Sequence, residues 1–180
     1  ENEINFFKKH FDIEVLKFSN NQINFIDFIS FFTKTNISSN KKLKLKIKNF
    51  NPDFIYVHNT WFEGSTSIIR FLQKKGIRTI IKVHNSRINC CNSYLVKNHI
   101  DREQFCNGCG QSRKKYQIFN KTFSNSYLKS FLVVRHTKKL LSYIISYKIT
   151  VLALGEFQKN QMIQIGLDPK NIHIFHNYIK

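Results

Sequence analysis

Two histidine-asparagine pairs, His58-Asn59 and His84-Asn85, each close an apolar run in this sequence, FIYVH and TIIKVH. Imidazole donates, accepts or carries a proton near neutral pH, and the neighbouring carboxamide adds one donor group and one acceptor. A lone histidine at the end of a strand is usually structural. Two such ends in consecutive strands would set two imidazoles and two amides around one crevice. Ser86 and Arg87 follow the second pair, and the guanidinium fork of Arg87 suits a carboxylate or phosphate.

The four cysteines, Cys90, Cys91, Cys106 and Cys109, all fall in the region after His84. Cys106-Asn107-Gly108-Cys109 has the spacing of a zinc knuckle, whereas the adjacent Cys90 and Cys91 do not easily give two ligands to one tetrahedral ion. Either Cys91 serves as the fourth ligand, with His99 as a further candidate, or the thiols are free. A structural zinc here would staple a long loop against the crevice and add folding free energy. No Ser/His/Asp or Cys/His set carries a convincing local signature. The sparse acids form no recognisable pair for glycoside hydrolysis. Orientation and charge stabilisation are the chemistry that remains.

The elements that would position these residues alternate along the chain. Glu14–Phe18 reads as a short strand and Ile23–Phe32 as an apolar helix. Lys41–Phe50 favours helix and ends at Asn51-Pro52, because proline drives its predecessor out of the helical region. Phe54–His58 and Thr79–His84 are continuous apolar runs of strand length, typical of a buried parallel sheet. Between them Ser65–Lys75 is an amphipathic helix stopped by Gly76. A long loop spans about 85–114. Further on come a helix over Ser126–Tyr147, a strand at Ile149–Leu154, a helix at Glu156–Ile165 stopped by Gly166, and a strand at Asn171–Phe175. The order implies an α/β fold, a Rossmann-like doubly wound parallel sheet with right-handed crossovers.

At 180 residues the chain suits one domain spanning 1–180, since domains usually hold about 100–200 residues. Its formal net charge of +18 points to phosphates, of nucleic acid or of an anionic membrane. The joint abundance of Lys, Asn, Ile and Phe also fits an AT-rich coding sequence. No stretch approaches the roughly 18–20 apolar residues of a spanning helix, and Glu1–Phe11 is too charged for a signal peptide. These features, with the clustered thiols, suggest a cytoplasmic protein. The basic segment Arg135–Lys148 is open to two readings: a helix lying on anionic headgroups, or an ordinary amphipathic helix with a solvated lysine face.

The segments NPDFIYVHNTW, IRTIIKVHNSRINCCN, CNGC, ITVLALGEF and GLDPKNIHIFHNYI, in this order, resemble family 4 glycosyltransferases that build bacterial surface polysaccharides. The likeness runs from about Asp12 to the end. It implies the N-terminal, acceptor-side half of a GT-B fold, lacking its first strand and ending at the inter-domain linker. It also implies that His84 hydrogen-bonds a hydroxyl of the donor sugar and that Asn85, Ser86 and Arg87 line the same cleft. His58 and Asn59 would face the acceptor, with Asn177 in the position of the family's closing motif. The expected partners are a C-terminal donor-binding domain, a nucleotide-sugar donor (UDP- or GDP-sugar) and a lipid-linked or polysaccharide acceptor. An anionic surface at the inner face of the membrane is a further expected partner. The chain departs from the family at Cys91 (usually proline), Phe119 (usually cysteine), Gly155 (usually serine) and His176 (usually proline). Without the donor half the chain is expected to be inactive. The rival readings are a basic nucleic-acid-binding module with a zinc knuckle and a non-catalytic carbohydrate-binding relative; no RRM, paired zinc-finger His or helix-turn-helix pattern supports the former.

Overall fold

A computed structural model describes residues 2–18, 37–58, 65–85, 88 and 125–177. Its elements are helix α1 (Asn2–Lys8), helix α2 (Ile37–Phe50), strand β1 (Phe54–Val57), helix α3 (Ser67–Lys74) and strand β2 (Arg78–Lys82). They continue with helix α4 (Tyr127–Ser146), strand β3 (Thr150–Ala153), helix α5 (Glu156–Gln164) and strand β4 (Ile172–Ile174). All three strand pairings are parallel, in the order β1-β2-β3-β4.

The period-two alternation of the strands gives the sheet two chemically different faces. One carries Val57, Thr79, Ile81, Val83, Val151, Ala153 and Ile172, all buried. Four helices deliver apolar side chains to it: Leu43 from α2, Ile68, Ile69 and Leu72 from α3, Ile144 from α4 and Met162 from α5. The one-directional strand order accounts for this, because right-handed crossovers that always step the same way keep their helices on one face. The order reversal that defines double winding does not occur among the described strands. The sheet is Rossmann-like in being wholly parallel and helix-flanked.

The three crossover helices leave for the next strand by one device. Each ends with paired backbone hydrogen bonds of the Schellman type: Ile77 N–H to Leu72 O, Ile149 N–H to Ile144 O and Leu167 N–H to Met162 O, at 3.1, 3.0 and 3.1 Å. Each thereby returns an apolar residue to the core beside the helix residue it bonds. The left-handed residue this motif needs is Gly76 (φ 69°) in α3 and Gly166 (φ 101°) in α5; α4 uses Lys148 (φ 50°).

The opposite face presents Phe54, Tyr56, Ile80, Lys82, Leu152, His173 and Phe175, and α1 lies on it. Phe7 stacks on Phe175, with centroids 6.2 Å apart, and meets Tyr56 edge to face at 5.7 Å. Lys82, with no exposed side-chain surface, donates from Nζ to both Glu3 carboxylate oxygens at 3.0 and 3.1 Å. Its ammonium also stands 4.7 Å from the Phe175 ring centroid, a cation-π contact. The Tyr56 hydroxyl donates to Glu3 at 2.8 Å.

Most sequence expectations match within a residue or two; the helix expected at Lys41–Phe50 is formed but begins four residues earlier, at Ile37. The strand expected at Glu14–Phe18 is not formed: residues 12–18 have no regular structure, and an isolated extended segment without a ladder partner leaves its backbone groups to other partners. Ile23–Phe32 and most of 85–114 lie outside the described residues.

Glu3→Ala is expected to cost about 3–5 kcal/mol, because it strands the Lys82 ammonium in the core without a counter-charge. Lys82→Met removes the cation and leaves Glu3 its tyrosine hydroxyl, and should cost less, about 1–2 kcal/mol. Urea denaturation followed by circular dichroism measures both; equal losses would mean that charge pairing is not what fastens α1.

Candidate functional site

Parallel register is what brings the two histidine-asparagine ends together. Val57 stands beside Ile81, so His58 follows at the level of Lys82, and His84 extends two residues beyond on the same face. His58 Nδ1 and His84 Nε2 lie 2.6 Å apart. The ring planes differ by 14° with centroids 4.8 Å apart. That separation is close to the nitrogen contact plus the two ring radii, so the rings meet edge to edge and nearly coplanar. The contact is a hydrogen bond between imidazoles, with one nitrogen protonated and the other not.

The pair therefore has two neutral arrangements. With the shared proton on His84 Nε2, His58 presents an outward Nε2–H donor and His84 an outward Nδ1 acceptor. With it on His58 Nδ1, the outward roles reverse. Either way the pair keeps one unshared donor and one unshared acceptor at the carboxyl edge of the sheet. Both side chains are exposed enough to be reached.

Beneath the pair is the polar group that holds α1. The Tyr56 ring meets His58 edge to face at 4.5 Å, and Tyr56, Glu3 and Lys82 form one hydrogen-bonded cluster. Burial pushes the Glu3 pKa up, but the hydrogen bonds from Lys82 and Tyr56 and the Lys82 charge outweigh it and leave the carboxyl below its ordinary 4.5. Tyr56 is pushed far above its ordinary value, by burial first and then by Glu3, and stays a hydroxyl donor. His58 falls below 6.5 through burial, with the charges of His84 and Lys82 adding and Glu3 opposing. His84 falls through burial and Lys82, again against Glu3. Both shifts favour the neutral form of the rings.

Gln158, in the first turn of α5, links the loops around this edge. Its Oε1 accepts from Leu154 N–H at 2.7 Å, and its Nε2 donates to the Asn85 carbonyl at 3.4 Å. The ends of β2 and β3 are thus held by one buried side chain.

Of the sequence-derived candidates, His58 and His84 come together, and Asn85 adjoins them with its backbone fixed by Gln158. Asn177 is exposed, two residues past Phe175 at the same strand-end edge. Asn59, Ser86, Arg87, Cys90, Cys91, Cys106 and Cys109 lie outside the described residues. Among the described residues no group of three or more His, Cys, Asp or Glu side chains is placed to hold a metal ion. Reasoning from sequence missed Glu3, Tyr56, Lys82 and Gln158. Lys82 was open to detection as an ionisable residue inside a buried strand, which has to be paired. Gln158 stands where the glutamine of a capping box reaches back over a helix start. Glu3 gave no local signal.

No protein-family profile, curated protein or solved structure matches the chain.

The histidine pKa values set a direction for stability against pH. Both lie below 6.5 in the folded chain, so between that value and the folded pKa values the unfolded chain binds more protons. Stability should be full above pH 6.5 and fall as the pH drops through that window. The Glu3 contribution is likewise present above 4.5 and is lost only at lower pH. Replacing both histidines with glutamine should flatten the upper part of this profile, measured by urea denaturation from about pH 7.5 to about pH 5; an unchanged slope would mean that other groups carry it.

Proposed function

We propose that this chain is the acceptor-side domain of a retaining GT-B glycosyltransferase. It would help move a sugar from a nucleotide-sugar donor to a lipid-linked or growing-polysaccharide acceptor in cell-surface polysaccharide synthesis. The observation that carries this reading is the meeting of His58 and His84: the two motifs that resemble family 4 glycosyltransferases supply the two rings of one hydrogen-bonded pair at the carboxyl edge of a parallel sheet. A donor-binding domain, in the same polypeptide or a partner, completes the enzyme.

In retaining transfer, the bond from the sugar's anomeric carbon to the leaving diphosphate breaks. A bond from that carbon to the acceptor oxygen forms on the same face, and the acceptor proton passes to the departing diphosphate. A neutral imidazole pair suits this chemistry by holding hydroxyls. Its outward donor and acceptor match the two roles of a sugar hydroxyl, and neutrality avoids the desolvation penalty a fixed charge would carry in a closing cleft. Glu3 is committed to Lys82 and Tyr56, so it is not placed to act as a nucleophile. His84 is the residue assigned to the donor sugar and His58 the one facing the acceptor, with Asn59, Asn85, Ser86, Arg87 and Asn177 around them. The cytoplasmic face of the membrane is the location this substrate class requires. Cys90, Cys91, Cys106 and Cys109 remain candidates for a structural zinc.

The test is sugar transfer by the full-length enzyme, using labelled UDP- and GDP-sugars with membranes that supply lipid-linked acceptors. His84→Ala should lower kcat/KM by about 10²–10³-fold, the effect of removing one preorganised donor, and His58→Ala should lower it less, because His84 survives. Full activity in His84→Ala, or tight single-stranded nucleic-acid binding that outlasts moderate salt with no transfer from any donor, would overturn the reading.

A further inference from the structure

Helix α2 has a second face that packs on no other element among the described residues. Its inner side packs on α3 and the sheet through Leu43 and Ile47, with Ser39 fully buried. The Ser67 hydroxyl donates to Asn40 across the α2–α3 junction at 3.4 Å. On the outer side Lys41, Lys44, Leu45 and Lys48 follow at i, i+3, i+4 and i+7, which places them on one face. All four are exposed. Leu45 sits at the crest with 62% of its surface in solvent, the largest exposure of any large apolar side chain in the described residues. The helix contains five lysines and no acid; Lys46, nearer the inner side, is paired with Glu14.

We infer that the outer face of α2 is a docking surface for an anionic lipid bilayer, with Lys41, Lys44 and Lys48 meeting headgroup phosphates and Leu45 entering the headgroup layer. Charge complementarity is the first ground: one face of a helix collects three cations in a chain whose formal net charge is +18. The kind of residue is the second. Every cation on α2 is lysine, a point charge on a flexible stem, where planar recognition of a nucleic acid favours the arginine fork. The exposed side offers an aliphatic crest and no ring on which a base would stack, since Phe50, the one aromatic of the helix, is half-buried. Lysines near an anionic surface are drawn to it one by one, and on α2 they flank a single exposed leucine, so the contact is electrostatic first with a small apolar addition.

The segment Arg135–Lys148, the membrane candidate in the sequence, exposes Ile145 and Tyr147 near its end, but His136, Thr137 and Ile144 within it are buried. Arg135, Lys138 and Lys139 are moreover engaged in contacts of their own. Membrane docking by α2 does not depend on the transferase reading, and the two are assayed separately.

Co-sedimentation with vesicles of phosphatidylcholine, with and without phosphatidylglycerol, tests the surface. The parent chain should bind only the anionic vesicles. Combined Lys41→Gln, Lys44→Gln and Lys48→Gln should weaken that binding about 100-fold at low salt, and Leu45→Ser alone several-fold. Lys74→Gln, Lys75→Gln and Lys170→Gln together remove the same charge from exposed positions outside α2 and should leave most of the binding intact. Equal loss in the two triple variants would overturn the assignment in favour of undirected net charge. Parental binding in the α2 triple variant would also overturn it, as would binding of single-stranded RNA through α2 in preference to the anionic vesicles. Circular dichroism melts confirm that each variant folds, which substitutions at exposed positions should not prevent.

Discussion

A parallel sheet whose crossovers all step the same way gathers its helices on one face, and the chemistry of this protein follows from what happens on the other. The covered face is apolar but for Thr79, whose hydroxyl is satisfied by Gln73 and the Ile77 carbonyl, and is held mainly by packing. The second face has to meet α1, and at its centre stands Lys82, a lysine that no solvent reaches. A buried ammonium is tolerated only with a counter-charge and filled hydrogen-bond positions. Glu3 supplies the charge, Phe175 an aromatic surface, and Tyr56 a hydroxyl that shares the carboxylate. The seat of α1 is therefore fixed by electrostatics as well as by the phenylalanines.

The same cluster lies directly under the histidine pair, which couples the packing of α1 to the electrostatics of the candidate site. Lys82 disfavours a proton on either ring and Glu3 favours it, so the net field at the pair is the difference between two opposed charges about a hydrogen bond apart. A displacement of α1 that carried Glu3 away would leave Lys82 unopposed. The Tyr56 ring, held at its hydroxyl end by Glu3, limits the rotation of His58 and with it the direction of the outward nitrogen.

Much of this fold was legible in the sequence because its signals are local. FIYVH and TIIKVH have the length and apolar continuity of buried strands, Gly76 and Gly166 stand where a helix must turn left-handed, and Pro52 ends α2. The histidine pair was legible for a related reason: equal strand ends in neighbouring parallel strands arrive at one edge whatever else the fold does. The misreading of Glu14–Phe18 came from pattern without partner, since five residues of strand-like composition become a strand only beside another. The one-directional strand order was not legible, because alternating strands and helices specify parallel pairing but not the side on which each strand is added. Nor was Glu3, whose role depends on a lysine 79 positions away.

The neutrality of the histidine pair also narrows what the site can do. An imidazole poised as a general base is best with a pKa near the working pH, whereas these two are held lower by burial and by Lys82. Each ring's nearer neutral partner is the other ring, so a proton taken from a substrate would place a positive charge over a buried lysine. Holding a hydroxyl by one donated and one accepted hydrogen bond brings no such charge. The geometry that makes the pair a weak base makes it a rigid template, since each ring fixes the tautomer of the other. Between taking a proton and holding a hydroxyl, the lowered pKa directions and the paired geometry favour the second.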